Sequence, residues 1–102
     1  MKVIECDATH WTSDFDIYDA ILKGVGAPKF HSRSPDALID SMIWGGINAV
    51  DPPYTIRIKG TSHLPKGVYD YAVLLRDVIA DGRKDYQERQ GGDVEVSIEL
   101  LS

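Results

Sequence analysis

Apolar and polar residues change period several times along this chain, and each change marks an element. From Tyr54 to Lys59 they alternate strictly, with Tyr54, Ile56 and Ile58 opposed to Thr55, Arg57 and Lys59. That is the two-residue period of a strand with one covered face. The alternation returns over Asp93–Leu101, where Val94, Val96, Ile98 and Leu100 oppose Glu95, Ser97 and Glu99. Lys2–Cys6 carries Val3, Ile4 and Cys6 without strict alternation, which predicts a short strand covered on much of both faces. Elsewhere the period lengthens. Phe15, Tyr18, Ile21 and Leu22 form one helical face, opened by Ser13 as N-cap with Asp14 and Asp16 in the first turn and closed by Lys23 and Gly24. Val68, Tyr71, Ala72, Leu75, Val78 and Ile79 predict a helix over Val68–Asp81 ended by Gly82. Tyr69, Val73 and Leu74 widen its apolar face towards burial. Arg83–Gln90 is strongly polar and reads as an extension of that helix or as an exposed helical excursion, stopped by Gly91-Gly92.

The segments between these elements are loops. His10 and Trp11 fall in one of them, and there a Trp folded over the core edge beside a solvated His is expected. Pro52-Pro53 bars a helix before the second strand. The stretch Phe30–Gly46 opens as a loop and becomes a helix at Ser34-Pro35. Ser34 can cap the first turn, Pro35 fits the first helical position, and Gly45-Gly46 supply the stop. Leu38 and Met42, with Ile39 and Ile43, can face a core. Three strands separated by helices predict an α/β fold: a small single domain over residues 1–102 with parallel pairing through crossovers.

Length and charge narrow the picture. A chain of 102 residues holds one ordinary core. No apolar run approaches the roughly 18 residues that span a membrane. No signal-peptide pattern is read, so a cytoplasmic location is expected. Cys6 is the only cysteine, which excludes an internal disulfide framework, and in an apolar strand it reads as a buried thiol. Sixteen Asp and Glu against eleven Lys and Arg give a net charge of −5. Such a surface argues against direct nucleic-acid binding and favours a cationic partner.

Asp36 and Asp40, four residues apart on one helix face, form the candidate site. Like charges at this spacing cost a helix about 0.2–0.5 kcal/mol, and the helix N-terminus relieves Asp36 more than Asp40. No Lys or Arg lies between Ser34 and Tyr54 to neutralise them. Taken singly, Asp36 reads as an acid stabilising its own helix and Asp40 as a solvated surface acid. Taken with Phe30 and His31 before them, they read as a protein-binding patch, charged groups beside aromatic ones. Phe30 reads equally as a core residue at the start of the helix. Common catalytic signatures are absent: no P-loop, G-x-S-x-G, G-x-G-x-x-G or H-E-x-x-H. His10, His31 and His63 follow no ligand spacing, so neither metal nor cofactor is expected, and the chain is not expected to be an enzyme.

The run Phe30, His31 and then Asp36-Ala37-Leu38-Ile39-Asp40, set between a short helix and a strand, resembles the core motif of the barstar family of ribonuclease inhibitors. The resemblance covers nearly the whole chain, including Leu75-Arg76-Asp77 in the late helix and the final strand. It implies a three-stranded parallel sheet in the order 1-2-3, packed with helices. It also implies an inhibitor that plugs the active site of a ribonuclease or ribonuclease-type toxin. Asp40 would enter the cationic phosphate site, Asp36 would sit beside it, Phe30, His31 and Ile39 would pack against the enzyme, and Asp77 would face a basic residue at the edge. The family often has Tyr where Phe30 and His31 stand, and an aromatic where Ile39 stands. Three readings follow. The preferred one is an immunity-type ribonuclease inhibitor, a monomer when free. The second is an interaction module of the same fold that binds another basic protein without inhibiting it. The third is a small hydrolase or metal-dependent enzyme using Asp36 and Asp40.

Overall fold

A computed structural model describes residues 1–29 and 31–102. The elements run β1 (Lys2–Asp7), α1 (Asp14–Gly24), α2 (Pro35–Leu38), a π-helical segment (Ile39–Trp44), β2 (Tyr54–Lys59), a 3-10 turn (Thr61–His63), α3 (Lys66–Gln90) and β3 (Val96–Leu100). The strands form one parallel sheet in the order β1-β2-β3, as the resemblance implied. The Cα radius of gyration, 12.9 Å, matches the roughly 13 Å expected of a single domain of about 100 residues.

The core lies between the sheet and the helices on one of its faces. Ile4, Ile56 and Ile98 share a register row there. They meet Ile17 and Ile21 of α1, Leu38 and Met42, and Leu75 and Ile79 of α3 in one apolar cluster. Burial pushes the Cys6 thiol pKa up. The opposite face is open, contrary to the expectation for β1: Val3 and Glu5 are exposed. Parallel sheets are rarely left bare. Here the bare face is polar. Arg57 sits in register between Glu5 and Glu99, with ion-pair distances of 3.9 and 3.7 Å. Lys59 reaches Glu5 at 3.0 Å.

Several expectations change in detail. Phe15 is not on the core face of α1; it is 63% exposed, and Ile17 takes the buried place. Asp16 ties down the start of α1, accepting from the backbone N–H groups of Thr12 (2.8 Å) and Ser13 (3.1 Å). Trp11 packs against the core edge and His10 is exposed, as expected. Gly82 does not end α3. The helix runs through it to Gln90, because Gly82 is where α3 meets the π-helical segment: a Cβ there would lie 3.3 Å from Ile39 Cγ2. The stop comes at Gly91, with φ of +74°. Tyr69 and Leu74 are exposed, so α3 buries a stripe and not most of its surface. Asp93 lies outside β3 and instead pairs with Arg83 of α3.

Candidate functional site

The site is built on the α2–π unit. Ser34 Oγ accepts the N–H of Ala37 at 3.1 Å, so the first turn is capped as its sequence predicts. From Ile39 the helix widens. The closing bond runs from the Gly45 N–H to the Asp40 carbonyl at 3.0 Å, five residues back, and Gly45 ends the segment with φ of +76°. Within this wider winding three successive side chains, Ser41, Met42 and Ile43, are buried. Asp36 and Asp40 remain on the exposed side.

The loop before this helix is tied at two points. His31 is half-buried; its N–H donates to the Pro28 carbonyl at 3.0 Å. Its Nδ1 lies 2.7 Å from the Ser32 carbonyl and its Nε2 lies 2.7 Å from Ser41 Oγ. Arg33 turns towards α1. Its Nε donates to Asp19 at 2.8 Å, its Nη2 lies 2.6 Å from the same oxygen, and its guanidinium stands 5.7 Å from the centre of the Phe15 ring. The cation nearest in sequence to the two acids is therefore engaged elsewhere. Among the described residues, neither Asp36 nor Asp40 forms an ion pair.

The structure brings His31 and Asp40 together. With Ser32, Ala37 and Ile47 they line a shallow depression of about 230 Å³. Asp36 lies one turn earlier on the same helix. Ile39 is half-buried and packs towards Gly82, so much of its surface serves the contact with α3. Asp77 is exposed on α3, outside the depression, and its carboxylate meets the neighbouring Arg76 at 3.1 Å. Phe30 lies outside the described residues. A second concavity, of about 350 Å³, opens at the other end of the π-helical segment among Trp44, Pro52, Pro53, Tyr86 and Glu95. Trp44 and Tyr86 meet there edge to face, with centroids 5.0 Å apart.

Two residues of the site were not anticipated. Ile47 is 52% exposed on the rim; an apolar residue just after Gly45-Gly46 was the signal for it. Ser41 had no comparable signal, since its partner lies ten residues away and only the fold brings them together. Among the described residues, no group of three or more His, Cys, Asp or Glu side chains is arranged to hold a metal ion. Among the described residues, no helix is long and apolar enough to cross a membrane. What the arrangement offers is an exposed, uncompensated pair of carboxylates beside a half-buried imidazole and an apolar rim, suited to gripping a cationic protein surface.

The family described as Barstar (barnase inhibitor) matches residues 1–99. No curated protein matches the chain.

Proposed function

Since the chain belongs to the barstar family, we propose that it inhibits a ribonuclease by placing the acidic face of its α2–π unit in the enzyme's cationic active site. Members of this family act as inhibitors of barnase-type ribonucleases and not as enzymes. The observation that carries the reading is the pair Asp36 and Asp40: both exposed, neither ion-paired among the described residues, with Arg33 drawn off to Asp19 and Phe15. A free protein can use Asp36 at the start of the helix, but gains nothing from adding Asp40 four residues on, where the two like charges repel. A partner that holds RNA phosphate does gain, because a carboxylate can take the place of the phosphate between Arg, Lys or His groups.

In this reading Asp40 enters the phosphate site and Asp36 meets its rim. His31 and Ile47 pack beside them, and Ile39 contributes what surface its contact with α3 leaves. Asp77 faces a basic group at the edge. The net charge of −5 steers encounter with a cationic enzyme and makes association fall with salt. The inhibitor would act in the cytoplasm as a monomer.

The test is inhibition of a panel of microbial ribonucleases at low and moderate salt, by the wild type and by Asp40→Ala. Inhibition should weaken with salt. In Asp40→Ala it should fall by about 30-fold or more, as when one partner of a buried charge pair is truncated. Inhibition that survives Asp40→Ala would leave the function standing and refute this mechanism. Binding to a ribonuclease without loss of RNA cleavage would make the chain a non-inhibitory binding module.

A further inference from the structure

His31 has both ring nitrogens occupied from within the chain. A backbone carbonyl only accepts, so Nδ1, 2.7 Å from the Ser32 carbonyl, must carry a proton. In the neutral ring Nε2 is then an acceptor, and the group facing it at 2.7 Å is the Ser41 hydroxyl. Ser41 is only 4% exposed and projects from the π-helical segment directly after Asp40. The contact joins the loop to the helix that carries the acids. It leaves His31 no N–H and no nitrogen lone pair for anything outside. What the depression beside Asp40 receives from His31 is therefore carbon edge and ring face.

We propose that Ser41 is a positioning residue for partner recognition: it fixes the His31 ring as a rigid aromatic plate beside the Asp40 carboxylate, so that the partner is met there by stacking and not by a hydrogen bond. This rests on the ribonuclease-inhibitor reading and adds a rule of specificity to it. The complementary group on the enzyme is flat or apolar, an aromatic ring or the face of a guanidinium, which stack on such a plate. Fixing the ring in the free protein removes the ordering cost that a mobile His would add on binding.

The test has two arms. The first needs no partner: the ¹⁵N shifts of His31 at alkaline pH report its tautomer. The wild type should hold the Nδ1–H form; Ser41→Ala should keep it, since the Ser32 carbonyl remains, while its Nε2 signal moves towards that of an acceptor with no hydrogen bond. The second uses whichever panel ribonuclease the wild type inhibits. His31→Phe, which keeps a plate and lacks nitrogens, should inhibit within about threefold of the wild type, and His31→Ala should lose about tenfold or more. Ser41→Ala, which unties the ring as His31→Phe does, should lose about as much as His31→Phe in the wild-type background and nothing further in the His31→Phe background. A loss equal in both backgrounds would assign Ser41 a merely structural role. Loss in His31→Phe as large as in His31→Ala would mean that a ring nitrogen meets the partner. Either result overturns the proposal, as does an Nε2–H wild type. If the wild type inhibits no ribonuclease, the proposed function falls and recognition by this plate falls with it. An Nδ1–H tautomer in the same sample would then place the fault in the target class and not in the geometry of the ring.

Discussion

The Cβ position of Gly82 on α3 lies 3.3 Å from Cγ2 of Ile39 and 3.5 Å from Cγ1 of Ile43 on the π-helical segment. The long helix therefore carries the acidic unit through a contact that leaves almost no room for a side chain. Adding a methyl group gains up to about 1 kcal/mol of helix preference and forces Ile39 to yield by a few tenths of an ångström. These effects oppose each other, so Gly82→Ala should move Tm by less than about 5 °C. Gly82→Leu overfills the contact and should lower stability by about 1–3 kcal/mol. Thermal denaturation of the two variants checks this. Equal behaviour would show that the helices are not in close contact there.

Tyr86 extends the same relationship to the far end of the π-helical segment, where its ring packs edge to face on Trp44. Tyr86→Ala should cost about 1–2 kcal/mol, the pair energy plus lost burial. It should also shift the emission of Trp44 towards that of a solvated indole, while Tyr86→Phe keeps both. Urea denaturation followed by fluorescence gives the two readouts together. Unchanged emission in Tyr86→Ala would show that the pair does not form in solution.

Asp93 and Arg83 close the passage from α3 into β3. Arg83 Nε donates to Asp93 Oδ1 at 2.7 Å, and the Glu95 N–H donates to the same oxygen at 3.1 Å. The guanidinium, first, and that backbone N–H hold the Asp93 carboxyl well below the usual carboxylate range. A depressed carboxyl stabilises the fold above its unfolded-state pKa, about 3.9. That contribution fades as pH falls further, through the folded-state titration. Asp93→Asn should therefore be less stable than the wild type at pH 7, with the gap narrowing below about pH 4. Stability curves between pH 2 and pH 7 decide it; a gap independent of pH would show that the carboxylate charge is not what the junction uses.

Tyr54 is buried at the head of β2, and its hydroxyl has no hydrogen-bond partner among the described residues. Burial pushes its pKa up to about 12. In the unfolded chain a tyrosine titrates near about 10. Between those values the unfolded chain loses a proton that the fold retains, so stability falls as pH rises. Tyr54→Phe should match the wild type at neutral pH or exceed it by up to about 1 kcal/mol. It should also flatten the alkaline decline without abolishing it, because burial and the Tyr71 hydroxyl raise the pKa of Tyr18 as well. A loss above about 1 kcal/mol at neutral pH would mean that the hydroxyl has a partner after all.

Most of the fold was legible in the sequence because it rests on periods. Tyr54–Lys59 alternates, and Tyr54, Ile56 and Ile58 are buried as that alternation requires. Ser34-Pro35 states a helix start in two residues, and the cap is where it predicts. The failures have a common cause: a residue's role depended on something distant in sequence. Gly82 carries a stop signal, yet Ile39 and Ile43 need its vacancy, so α3 runs through it. Phe15 has helical spacing for the core, yet it lies outside as a platform for Arg33, eighteen residues on. In the site, Asp36 and Asp40 were legible as unexplained charge. The link between His31 and Ser41 was not, since nothing in either residue's neighbourhood announces the other.

The π-helical segment has a consequence for how this chain can change. Its ring from Gly45 back to Asp40 encloses one residue more than an α-turn does. Relative to an α-helix, everything from that turn onward is displaced by a single codon's worth of chain. Removing one residue between Ile39 and Trp44 would let the ladder tighten to α winding while the chain on either side kept its place. The segment before the depression's rim at Ile47 can thus take up or lose a residue by rewinding, with the sheet and the long helix left in place.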